Sequence, residues 1–152
     1  MKMKKIMAIF VSALLLLGLS ACGKAATLNV DELSADVLKN VSFEVELKKI
    51  NSDVILGNYG LPEGVTGDIW RGSSTAPDQL AVFLAPDENT AAKTVDALKE
   101  NIEELKTTYS GYAPEEVPKL DKSVIEKHGK YVILCITNDS DNAQKVIKSH
   151  LK

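Results

Sequence analysis

Asp87 follows Pro86, and beyond it Ala91, Val95, Leu98, Ile102, Leu105 and Tyr109 recur in alternating steps of four and three. Apolar residues at that spacing lie along one side of an α-helix, and Asp87 is suited to cap its first turn. The positions between them are mostly Lys, Glu, Asp, Asn and Thr, so the other side faces water. A helix from Asp87 to about Tyr109 is about 33 Å long. It must bury a narrow stripe against something equally long, either a sheet or the seam of a coiled coil. A coiled coil asks for three or four full heptads, so packing across a sheet is the simpler solution. In "YSGYAPEEVPKL", Gly111, Pro114 and Pro118 end the helix.

Strand-like runs flank it. "VTGDIWRG" and "QLAVFLA" read as two strands around a "SSTAPD" turn, and "KSVIEKHGKYVILCIT" as a hairpin turning at His128–Gly129. Asp139 or Asn138 then caps a last helix whose Ala143, Val146, Ile147 and His150 share a side. Placing Leu80 over Tyr131 superimposes "LAVFLAPDENTAAKTV" on "YVILCITNDSDNAQKV", each half reading strand, turn, strand, capped helix. A first helix starts at Val30 with Asn29 as N-cap and Glu32 three residues on, and Val30, Leu33, Val37 and Val41 form its apolar side. "FEVELKKI" over 43–50 fits strand alternation and helical spacing alike, with a lean to helix or irregular structure. The expected fold is α+β, two ββα units forming a four-stranded, mainly antiparallel sheet with helices on one face. The N-terminal helix packs at one end.

The first residues concern location. Lys2, Lys4 and Lys5 precede an apolar stretch from Ile6 to Leu19, interrupted only by Ser12. Those fourteen residues are short of the roughly 20 that span a bilayer, and fit a secretory signal. Leu19-Ser20-Ala21-Cys22 then matches the bacterial lipobox, in which the cysteine thiol takes a diacylglyceryl group and becomes the first mature residue. The expected organisation is a signal peptide over 1–21, a lipidated Cys22 and short tether over 22–29, and one domain over 30–152. Two or three acyl chains anchor a protein stably. The tether "GKAATL" reaches only about 20 Å, which keeps the domain close to the membrane on the extracytoplasmic side.

Loss of residues 1–21 removes three lysines and no acids, taking the formal charge from −3 to −6. That balance makes nucleic acid an improbable partner and disfavours lying flat on anionic lipid. The 131 residues left suffice for one core. With Cys22 acylated, Cys135 has no disulfide partner. It lies inside "YVILCIT", a setting for a buried structural thiol rather than a redox centre.

Candidate chemistry is sparse. His128 falls in a turn and His150 near the C-terminus, and no His or Cys pair has zinc-ligand spacing. Asp139 and Asp141 in "NDSDNA" resemble the start of a calcium loop, but the central glycine and distal glutamate are missing, and helix capping accounts for them. Ser73 and Ser74 lack a nucleophile elbow. Glu115 and Glu116 are adjacent, so they point apart, as solvated loop charges do. Trp70 and Arg71 face opposite sides of a strand, and an exposed Trp70 would be a binding anchor. The four glycines and one proline of "GNYGLPEGVTG" form a loop with the wrong spacing for a phosphate cradle.

The lipobox, "NYG", "DQLAVFLAPDENTAAKTVDAL", "GYAPEEV" and "KHGKYVILCITNDSDNA" together resemble the bacterial lipoproteins grouped as domain of unknown function 4358, over residues 31–151. The resemblance implies a membrane lipoprotein of Gram-positive, Clostridia-like origin, and brings no catalytic residues. The expectation is a lipid-anchored, non-catalytic interaction module without cofactor or metal, contacting an envelope protein or its own copy. The alternative is a small-ligand binding lipoprotein with a pocket framed by the 57–67 loop and Tyr112.

Overall fold

The computed structural model describes residues 27–52, 56–72 and 75–152. The proposed signal peptide, Cys22, Ser73 and Ser74 lie outside them. The elements run α1 (Val30–Asn40), β1 (Lys48–Ile50), a 3-10 turn (Leu56–Tyr59), β2 (Thr66–Arg71), β3 (Gln79–Leu84) and α2 (Glu88–Tyr112). A second 3-10 turn (Pro114–Glu116), α3 (Val117–Asp121), β4 (Val124–His128), β5 (Tyr131–Ile136) and α4 (Ser140–Ser149) complete the order.

The class is α+β, as expected, but the sheet has five strands in the order β1-β2-β3-β5-β4, every neighbouring pair antiparallel. The additional strand is β1. Within the ambiguous 43–50 stretch, Lys48–Ile50 pairs with Arg71–Ile69 at the sheet edge, while 42–47 is irregular. Residues 129 and 130 turn the β4–β5 hairpin. Gly129 has a φ of 56°, the left-handed value that a type II′ turn needs at its first central position.

The helices do not share one face. Ala81, Phe83, Val132, Leu134 and Ile136 turn toward α2, meeting Ala91, Leu98, Ile102 and Tyr109. Leu80, Val82, Ile133 and Cys135 point the other way, toward Leu33 and Val37 of α1 and Ala143 and Ile147 of α4. The sheet is the middle of three layers. The reason lies in β3 and β5: five of six residues in each are buried, so both faces need a cover. The 25-residue α2, with the short α3 and the Leu56–Tyr59 turn beside it, covers one face, leaving the other to α1 and α4.

The caps follow the sequence. Asn29 Oδ1 accepts from the Glu32 N–H at 3.2 Å, and an Asp87 carboxylate oxygen accepts from the Thr90 N–H at 2.7 Å. Asp139 precedes α4, but its carboxylate accepts from the Ser42 N–H at 3.1 Å and Asn142 Nδ2 at 3.0 Å, tying the end of α1 to the start of α4. Among the described residues, no helix is long and apolar enough to cross a membrane.

The strands also give the molecule two distinct ends. Leu84, Thr66 and Tyr131 are register partners at one end, where α1 begins. Gln79, Arg71 and Ile136 mark the other, toward which α2 returns.

Candidate functional site

The strongest concentration of buried charge lies at this second end. Pro114 and Pro118 each occupy the first turn of a short helical segment, where a missing N–H costs nothing, and the paired turns carry Glu116 and Lys119 inward. Lys119 Nζ is 2.5 Å from Asp78 Oδ2, 2.8 Å from Glu44 Oε2 and 2.7 Å from Glu116 Oε2. Lys119 and Asp78 are both almost fully buried, while Glu44 is half exposed. Asp78 spends its second oxygen on the Glu44 N–H at 3.0 Å. The Glu116 oxygen meets the ammonium as a charge contact and receives no directed hydrogen bond.

Burial is the largest single influence on Lys119 and disfavours its charge. Contacts with Asp78, Glu116 and Glu44 together outweigh it, and the pKa is raised. A lysine that serves as base or nucleophile needs the opposite shift. The cluster is therefore a permanently charged clamp joining the 42–47 segment, the start of β3, the second 3-10 turn and α3. Glu44, Asp78 and Glu116 offer carboxylate oxygens within 4.8 Å of one another, a spacing that suits a cation. The ammonium already takes that position.

A second polar layer lies beneath the glycine-rich loop. The Tyr59 hydroxyl donates to Gln79 Oε1 at 2.8 Å, with both residues buried, and its ring meets Phe83 edge-on at 5.4 Å. Burial pushes the Tyr59 hydroxyl up, with Arg71 opposing. Asn101 Nδ2 donates to the Asn58 carbonyl at 3.1 Å, fastening the turn to α2. Arg71, Asn58, Tyr59, Gln79, Asn101 and Leu105 enclose a cavity of about 60 Å³. That holds a few waters, whereas small-molecule sites run to roughly 300–1,000 Å³.

The remaining candidates are dispersed. Trp70 is buried on the α1 and α4 side, with Lys49 Nζ 5.2 Å from the centre of its ring, which overturns the exposed-anchor reading. Glu115 is exposed as expected, but Glu116 is buried in the clamp and is not a solvated loop charge. His128 ends β4, and His150 Nε2 lies 2.9 Å from Asp36 Oδ2. Asp141 sits in the first turn of α4. Cys135 is fully buried, and its thiol is pushed up to about 12, chiefly by burial. Tyr112 is exposed and stacks on Tyr109 at 5.0 Å between ring centres, but does not reach the 60 Å³ cavity. Sequence reasoning missed Lys119, Asp78 and Glu44; Lys119 lies three residues from Glu116, but Asp78 and Glu44 have no local spacing to either.

Comparison with curated proteins and with solved structures finds no match. A family model does match, over residues 39–137, a span holding all five strands, α2, α3 and every member of the Lys119 clamp. The chain belongs to the family described as Domain of unknown function (DUF4358).

Proposed function

We infer that this is a membrane-anchored extracytoplasmic lipoprotein whose single domain is a non-catalytic protein-interaction module. The observation that carries the reading is the lipobox at Leu19–Cys22, set six residues before Leu28, which is already part of the core. Cys22 takes the lipid and the domain works against the membrane surface, on an envelope protein or a neighbouring copy. The absence of catalysis is supported by the state of two buried groups that chemistry could recruit. Lys119 is locked as an ammonium, and Cys135 as a thiol.

Feeding cells an alkyne fatty acid tests the anchor. The wild-type chain takes the label at its N-terminal peptide and Cys22→Ser does not; equal labelling, or none in either, rejects the lipoprotein assignment. Crosslinking in intact cells then recovers one stoichiometric envelope protein or a second copy, and recovery of neither rejects the interaction role.

A second reading, a small-ligand binding lipoprotein, is favoured by the buried Tyr59–Gln79 pair and Arg71 beneath the glycine-rich loop. It requires that the loop open, since the cavity takes only water. Thermal-shift screening of the purified protein decides it, and a shift lost in Tyr59→Phe is the supporting result.

A further inference from the structure

At the opposite end from the clamp, the face carrying Leu80 and Val82 runs out from under its helices. Leu84, next in that row, is 38% exposed, one of two large apolar residues so placed among the described residues. It borders a groove of about 330 Å³ lined by Val30, Gly67, Asp68, Val82 and Tyr131. The one acid, Asp68, is 2.9 Å from Lys49 and so is not an unpaired charge in the groove. Val30 is the first residue of α1, and Leu28 just before it is packed into the core.

The chain outside the fold decides what meets this groove. From Leu28 back to Cys22 is six residues, a reach of about 20 Å at full extension. An acylated Cys22 therefore starts within that reach of this end of the sheet, where Leu28 and Val30 lie. The far end of α2 is about 37 Å along its axis from the near end, beyond that reach.

Resting on the lipoprotein reading above, we propose that the groove rim formed by Val30, Leu84 and Tyr131 is a membrane-contact surface, seated in the headgroup region of the bilayer that holds Cys22. The contact is apolar and aromatic. Leucine and tyrosine suit the boundary between headgroups and acyl chains, where an apolar body and a polar tip are both accommodated. The anchor and the groove together orient the domain, with the Lys119 clamp and Tyr112 facing away from the membrane.

The test uses the mature lipidated protein in phosphatidylcholine vesicles, a zwitterionic surface that removes charge attraction. Leu84→Cys and Tyr112→Cys each receive an environment-sensitive fluorophore; Cys135 is buried and does not compete for it. Lipid-borne doxyl groups should quench the probe at 84 several-fold more than at 112, and aqueous iodide should do the reverse. Equal quenching at both positions overturns the proposal. A probe at 84 shielded from both quenchers also overturns it, because protein and not lipid then covers the groove. Mass analysis of the N-terminal peptide is run on the same sample. A peptide without acyl chains rejects the lipoprotein reading itself, while an acylated peptide with no preferential quenching at 84 rejects only the membrane contact.

Discussion

Replacing Lys119 by methionine keeps the length of the side chain and removes its charge, leaving Asp78 and Glu116 buried without their counter-ion. Removing one partner of a buried pair costs about 3–5 kcal/mol, well above the worth of the pair itself. The expected result is a large fall in the urea midpoint. In the wild-type protein the loss of this charge should show at alkaline pH. Folding raises the Lys119 pKa, so its stabilisation is complete below about pH 10.4, the unfolded value, and is lost as pH climbs through the raised one. Cys135, pushed up to about 12, has the same sign but begins to act near pH 8.5, where an unfolded thiol ionises. Urea midpoints measured upward from pH 8 should therefore decline, with Cys135→Ala flattening the first part of the slope and Lys119→Met the last. A slope unchanged in both variants contradicts these assignments. Of the clamp only the Glu116–Lys119 pair is local, three residues apart; Glu44 and Asp78 stand far away in the sequence and meet it only once the chain is folded. The cap at Asp87 was legible, since its partner is three residues away.

Elements show the same division. Within β2, a Cβ on Gly67 would stand 2.7 Å from the Val82 carbonyl oxygen and 2.9 Å from Phe83 Cδ1, because β3 approaches there without room for a side chain. Gly67→Ala must push β2 off its partner and is expected to cost about 1–3 kcal/mol, measured by urea denaturation. Unchanged stability would mean that the β2–β3 register differs from the one described. Helix α2 was legible from its four-and-three rhythm, with Leu98 and Ile102 on the buried side, but it runs through Gly111 to Tyr112 and stops only before Pro114. Substituting charges at those two positions would accordingly report on folding and not on association. The first strand escaped notice because Lys48–Ile50 is only three residues long and owes its conformation to pairing with β2. The 3-10 turn at Leu56–Tyr59 likewise depends on a distant hydrogen bond, from Asn101.

For the whole molecule, the error of placing the helices of both ββα units on one face was avoidable. The unbroken apolar runs "QLAVFLA" and "YVILCIT" lack the polar alternation of a strand with one wet face, and such runs signal a sheet covered twice. The repeat reflects the order of elements, which is similar in the two halves, and says nothing of which face each helix covers. Two apolar layers divided by one sheet raise a question of cooperativity, and the chain has a convenient pair of probes. Its single tryptophan, Trp70, belongs to the α1 and α4 layer, while α2 dominates the helical signal from the other. Strands β3 and β5 contribute side chains to both layers, so tryptophan fluorescence and far-UV circular dichroism should give coincident urea midpoints. Separated midpoints would show two independently melting layers.

Helix α1 begins and α4 finishes at the same end of the sheet, where Leu28 and Leu151 join one apolar cluster and His150 reaches Asp36. A short peptide could therefore join Leu28 to Leu151, and the chain could be reopened at the exposed tip near Gly60, giving a circular permutant of the domain. Fused to the same lipid anchor, that permutant would be tethered through the glycine-rich loop. Whatever in the envelope recognises the natural orientation would then meet a different end of an otherwise identical domain.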